Sequence, residues 1–73
     1  MSPDQLRAAG EALYGNRWQR QLSAELGIAE RTMRRWLAGT FAIPADMRSR
    51  ILTAARRRID DAETALARVK ALS

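Results

Sequence analysis

Residues 19–39, QRQLSAELGIAERTMRRWLAG, decide how the rest of the chain is read. Leu22 and Leu26 lie one helical turn apart, Gly27 interrupts the run, Ile28 follows, and Met33, Trp36 and Leu37 resume helical spacing. Two short helices joined by a tight turn satisfy this pattern. At about 100° per residue, Met33, Trp36 and Leu37 share one side of the second helix, Arg31 and Arg35 project from the opposite side, and Arg34 sits on the flank. A short helix pinned by its apolar side, with an outward row of guanidinium groups, suits the major groove of DNA.

These residues resemble the helix-turn-helix of phage repressors and the wider xenobiotic-response-element class of small bacterial regulators. The opening glutamine of that family falls on Gln19, its turn glycine on Gly27, its apolar positions on Leu22, Ile28, Met33 and Trp36, and its closing glycine on Gly39. Two positions depart from the pattern. Ser23 stands where the family usually has alanine, and Ala29, a poor N-cap, stands where it usually has Ser or Thr. The resemblance implies that Glu30, Arg31 and Arg35 face base edges. An arginine can take guanine O6 and N7 together, and a glutamate can accept from cytosine N4. Glu30 serves equally well as a favourable charge at a helix N-terminus. Arg34 joins this group at a flanking base, or takes a phosphate.

The net charge of +5 is unevenly spread. Residues 17–58 hold ten arginines against Glu25, Glu30 and Asp46, whereas the flanking segments are slightly acidic. Basicity gathered around the motif is an electrostatic footprint for a polyanion. Twelve of the thirteen basic residues are arginine, which favours bidentate contact with phosphate or guanine. Gln19 and Arg20, in the first turn of the motif's first helix, form a candidate phosphate clamp with Asn16 and the free backbone N–H groups there. Arg17 and Thr40 are further candidates for phosphate contact. The run Arg56-Arg57-Arg58 is either a solvated helix face or a backbone contact, and Asp60 and Asp61 are spaced to pair with Arg56 or Arg57.

A chain of 73 residues makes one small domain with a small core, which usually needs a partner, a metal or disulfides. Cysteine and histidine are both absent, which excludes disulfides and the usual structural zinc and removes the commonest catalytic groups. The few carboxylates form no metal-ligand pattern. No enzyme, cofactor, metal or small-molecule ligand is expected. No apolar run approaches the ~20 residues that cross a bilayer, and no signal-peptide pattern opens the sequence, so a cytoplasmic protein is expected.

Along the chain, Ser2, Pro3 and Gln5 predict a capped helix start, with Leu6, Ala9 and Leu13 as its apolar stripe. Gly10 weakens this helix and Gly15 ends it. Asn16 is expected to cap a second helix over about 17–26, with Gln19 reaching back to the cap. The third helix spans about 29–38. Trp36 belongs to the core. Trp18 either packs against Leu13 and Leu22 or turns its N–H to a phosphate. Pro44 opens the last helical segment. From Ala45 to Leu72 there is no glycine or proline, and one unbroken helix there would measure ~42 Å. It therefore either breaks near Ile59-Asp60-Asp61 or projects beyond the domain. Met47, Ile51 and Leu52 are expected to pack on the motif. Leu52, Ala55, Ile59, Ala62, Leu66 and Val69 form a heptad-like stripe. Its downstream residues, Ile59, Ala62, Leu66 and Val69, are expected to form a homodimer seam, the alternative being a helix folded back on its own domain.

The expectation is thus an all-α protein of four to five helices. Residues 1–58 form a helix-turn-helix DNA-binding domain and residues 59–73 a helical extension. The function expected is a regulator binding double-stranded DNA as a homodimer, most simply a repressor of its own promoter on a phage or mobile element. In size and layout the chain resembles anti-CRISPR-associated repressors. An antitoxin, whose last helix would bind a toxin, or a DNA-binding adaptor of a transposase or recombinase are the alternatives.

Overall fold

A computed structural model describes residues 1–72; Ser73, the last residue of the expected extension, lies outside the described residues. Four α-helices follow in order, α1 Pro3–Tyr14, α2 Trp18–Leu26, α3 Glu30–Leu37 and α4 Met47–Ala71, with no strand among the described residues. A 3₁₀ turn, Gly15–Arg17, joins α1 to α2.

The start of α1 is a complete capping box. The Gln5 N–H donates to Ser2 Oγ at 3.1 Å, and the Ser2 N–H donates to Gln5 Oε1 at 2.9 Å. The α1 helix ends at Gly15, whose φ of 76° turns the chain into the 3₁₀ turn. That turn runs straight into α2. Arg17, with φ −100° and ψ 29°, stands at the cap position and makes no side-chain cap bond. The expected Asn16 cap with its Gln19 return is therefore absent, because an N-cap side chain accepts from the N–H groups of the first turn when its own residue is extended, and no such residue precedes α2 here.

The C-terminal ends of α2 and α3 close in the same way. At Gly27, φ 69°, the N–H donates to Ala24 O at 3.2 Å and the next N–H, of Ile28, to Ser23 O at 3.0 Å. At Gly39, φ 76°, the N–H donates to Trp36 O at 3.1 Å and that of Thr40 to Arg35 O, also at 3.1 Å. These paired bonds satisfy the last carbonyls of α2 and α3 and need a left-handed residue, which glycine supplies without strain.

The core consists of Leu6, Trp18, Leu22, Leu26, Met33, Trp36, Met47 and Ile51, with Ala9, Leu13, Tyr14, Ile28, Leu37 and Ile43 packed around it. Trp18 is thereby settled as a core residue, only 3% exposed. Its indole lies on the backbone of α1. A Cβ built at Gly10 would stand 2.0 Å from Trp18 Cε3 and 2.4 Å from Cδ2. Gly10 is the notch that admits the ring, not merely a weak point of the helix. Ser23 is buried as well, and its Oγ has no hydrogen-bond partner among the described residues.

The α4 helix begins at Met47, after a turn in which the Met47 N–H donates to Pro44 O at 3.1 Å. Pro44 thus precedes the helix instead of opening it. The residues that α4 buries are Met47, Ile51 and Ala54, one face at four- and three-residue spacing. Leu52, expected in the core, lies about 100° around the helix from Ile51 and is 59% exposed. No break occurs at Ile59-Asp60-Asp61. The helix runs on for 25 residues, and an ion pair at 3.4 Å from Arg56 Nε to Asp60 Oδ1 spans the region. Every residue from Ile59 to Leu72 is exposed. The protein measures 51 × 21 × 19 Å, the long dimension reflecting this projection.

Replacing Gly10 with alanine should destabilise the protein by about 1–3 kcal/mol in urea unfolding, because the methyl displaces the indole. On an open helix the same change would stabilise by roughly 1 kcal/mol, so a gain in stability would show that the ring is not seated there.

Candidate nucleic-acid interface

The α3 helix is held from one side. Met33 and Trp36 are buried, Thr32 and Leu37 are half-buried, and Glu30, Arg31, Arg34 and Arg35 are exposed. This is the division that the sequence pattern predicts. Its N-terminus lacks a side-chain cap, since Ala29 has none to offer, and Glu30 brings a carboxylate to the first turn. Glu30 Oε2 also lies 3.9 Å from Arg34 Nη1, a loose and exposed pair of the kind that contributes little.

The first turn of α2 stands beside the start of α3. Asn16, Arg17, Gln19, Arg20 and Glu30 line one open cleft on this surface. Arg17 and Arg20 continue into a neighbouring hollow with Gln21 and Ala24. Four of the five residues expected to hold phosphates therefore meet one of those expected to read bases. The 3₁₀ turn brings them together by carrying Asn16 and Arg17 directly onto α2. Thr40 stands apart, past the end of α3. Its backbone N–H is occupied by Arg35 O, which leaves its hydroxyl as the group open to a ligand.

The arginines of residues 17–58 divide into two groups. Arg17, Arg20, Arg31, Arg34 and Arg35 are exposed on the turn, α2 and α3. Three of those on α4, Arg50, Arg57 and Arg58, tie the helices together. An Arg50 Nη2 N–H donates to Leu26 O at the end of α2. Arg58 Nε donates to Leu13 O at the end of α1 at 2.6 Å, and its guanidinium lies 4.6 Å from the centroid of the Tyr14 ring. Arg57 Nη1 meets Glu25 Oε1 at 3.2 Å. Cations set against the carbonyl ends of α1 and α2 complement the helix dipoles. Within the Arg56-Arg57-Arg58 run, two of the three reach other helices and the first pairs with Asp60. Burial raises the Tyr14 phenol pKa, Glu25 adds to the rise, and Arg58 opposes it.

Sequence reasoning missed Phe41. Its ring is 54% exposed, and the Arg35 guanidinium carbon lies 5.4 Å from its centroid. The signal was present in Gly39, since the turn that it forms brings the following residues back alongside Arg35. The four residues of the expected seam, Ile59, Ala62, Leu66 and Val69, are all exposed on α4. Among the described residues no three His, Cys, Asp or Glu side chains gather where a metal could bind, and no helix is long and apolar enough to cross a membrane.

No protein family model matches this chain, and no curated protein or solved structure is significantly similar to it.

The two groups of arginines should behave differently when replaced. Arg58→Ala should lower stability by about 1–2 kcal/mol through its lost hydrogen bond and ring contact. Arg31→Ala should stay within about 0.5 kcal/mol of the parent. Equal stabilities in thermal and urea unfolding would contradict the division.

Proposed function

We propose that this protein is a sequence-specific DNA-binding regulator that lays α3 in the major groove and reads bases with Glu30, Arg31, Arg34 and Arg35. The observation that carries the reading is the exposed arginine face of α3 beside the cleft formed by Asn16, Arg17, Gln19, Arg20 and Glu30. A helix of about 10–12 Å diameter fits a major groove about 12 Å wide. With α3 so placed, the cleft faces the flanking backbone, where Gln19, Arg20 and the first N–H groups of α2 hold phosphates and fix the register. The apolar side of α3 is anchored by Met33 and Trp36, so the face that meets DNA is not needed for packing.

The protein acts as a homodimer in this proposal. The stripe Ile59, Ala62, Leu66 and Val69 is exposed on a helix that projects from the domain, and a second copy covers it. Two copies place two α3 helices on half-sites of an inverted repeat about one helical turn apart, or a multiple of that distance. In this proposal the bound dimer occludes the promoter upstream of its own gene and so represses it.

Two substitutions test the proposal. Arg35→Ala should weaken binding to a duplex selected from a randomised pool by about 1–3 kcal/mol, and binding to unselected DNA much less. Equal losses on both duplexes, measured by fluorescence anisotropy, would remove base readout from Arg35. Leu66→Asp should turn a dimer into a monomer by light scattering while the helical circular dichroism and the unfolding midpoint of the domain persist. An unchanged mass would take α4 out of the interface. A monomeric parent that copurifies with a second polypeptide would move the assignment to an antitoxin.

A further inference from the structure

Arg35 differs from its neighbour Arg34 in what holds it. The residues three and four positions away are Thr32, Ala38, Arg31 and Gly39, so no carboxylate stands within reach along the helix. Arg31, one turn back, carries the same charge and offers Arg35 no pairing partner. At the C-terminal end of α3 the Gly39 turn has returned the chain. The Thr40 N–H donates to Arg35 O at 3.1 Å, and Phe41 presents its ring to the Arg35 side chain with the guanidinium carbon 5.4 Å from the centroid. Arg35 is thus tied to residues 40 and 41 by backbone and side chain together. Phe41 is not part of the hydrophobic core and remains 54% exposed. An exposed aromatic ring with no place in the core calls for another explanation, and the guanidinium is its neighbour.

We infer that Phe41 is a positioning residue for Arg35, holding the guanidinium in place before DNA arrives. The inference rests on the proposal that α3 reads bases. A ring face attracts the cation through its π-electrons and leaves the N–H donors of the planar guanidinium open. A carboxylate would instead occupy two of those donors, the same two that a guanine requires. Free arginine carries considerable rotamer entropy, and immobilising such a side chain on binding costs part of the affinity. Paying part of that cost in the unbound protein strengthens binding wherever Arg35 must adopt one geometry, as at a base pair. On unselected DNA, where Arg35 meets phosphates in many geometries, the restraint brings little.

The test measures the affinity of the parent and of Phe41 variants for the selected duplex and for an unselected one. Phe41→Ala should weaken binding to the selected duplex about three- to tenfold and leave the unselected duplex nearly unchanged. Phe41→Leu, which keeps apolar bulk without a ring, should match Phe41→Ala, and Phe41→Tyr should restore parental binding. In an Arg35→Ala background, Phe41→Ala should have no further effect. Equal loss on both duplexes, parental binding by Phe41→Leu, or an undiminished loss in the Arg35→Ala background would each overturn the inference. A parent that prefers no duplex would overturn the DNA-binding proposal itself. A parent with a clear preference that Phe41→Ala retains in full would overturn the role of Phe41 alone. Unfolding curves for each variant separate a positioning effect from lost stability, since an exposed ring outside the core should leave the midpoint unchanged.

Discussion

The Trp18 indole lying against the backbone of Gly10 is the contact on which this small fold depends. Aromatic rings bury more apolar area than other side chains, and a chain of 73 residues has only two tryptophans to use. Trp18 opens α2, so seating it on α1 fixes the position from which the chain enters the α2–α3 pair. Leu22 and Leu26 follow on the same face of α2. They meet Met33 and Trp36 across the turn, and Met47 and Ile51 of α4 complete the cluster. Every helix contributes to this single core, and none buries its apolar residues by itself.

Around that core, polar interactions do work that apolar area is too small to do alone. The C-termini of α1 and α2 each leave carbonyls that helical bonding does not use. Arg58 and Arg50 from α4 reach two of them, Leu13 O and Leu26 O. The same residues orient α4 across the domain, and Arg57 adds an ion pair to Glu25. The chain therefore uses arginine for two purposes. On α4 three guanidinium groups, those of Arg50, Arg57 and Arg58, are structural ties, and on α2 and α3 they form an exposed basic surface.

The elements governed by neighbouring residues were legible in the sequence. The Ser2–Gln5 capping box, the glycine turns at 27 and 39, and the split of α3 into a buried Met33–Trp36 side and an exposed arginine side all follow from residues within a turn of each other. What escaped the sequence was set by distant partners. Gly10 registers only as a poor helix former until Trp18 is brought over it. Arg50, Arg57 and Arg58 find partners 24, 32 and 45 positions away, and local spacing is silent about such contacts. Leu52 and Ile51 are equally apolar neighbours, and which of them faces inward depends on how α4 is rotated by those same ties. The Asn16 cap failed because the 3₁₀ turn left no extended residue before α2. At the candidate site, the clustering of Asn16, Arg17, Gln19, Arg20 and Glu30 needed the fold to bring two helix starts together.

The unbroken path of α4 links two parts of the molecule mechanically. Its first half is fixed to the domain by Met47, Ile51, Ala54 and the arginine ties, and its second half stands clear. No hinge lies between them, so residue number along α4 translates directly into direction. One residue inserted after Arg58 would swing Ile59, Leu66 and Val69 about 100° around the axis and move them ~1.5 Å outward, with the domain itself untouched. The compass bearing of the apolar stripe relative to the arginine face of α3 is thus written in chain length, and an insertion or deletion would reset it without altering either end.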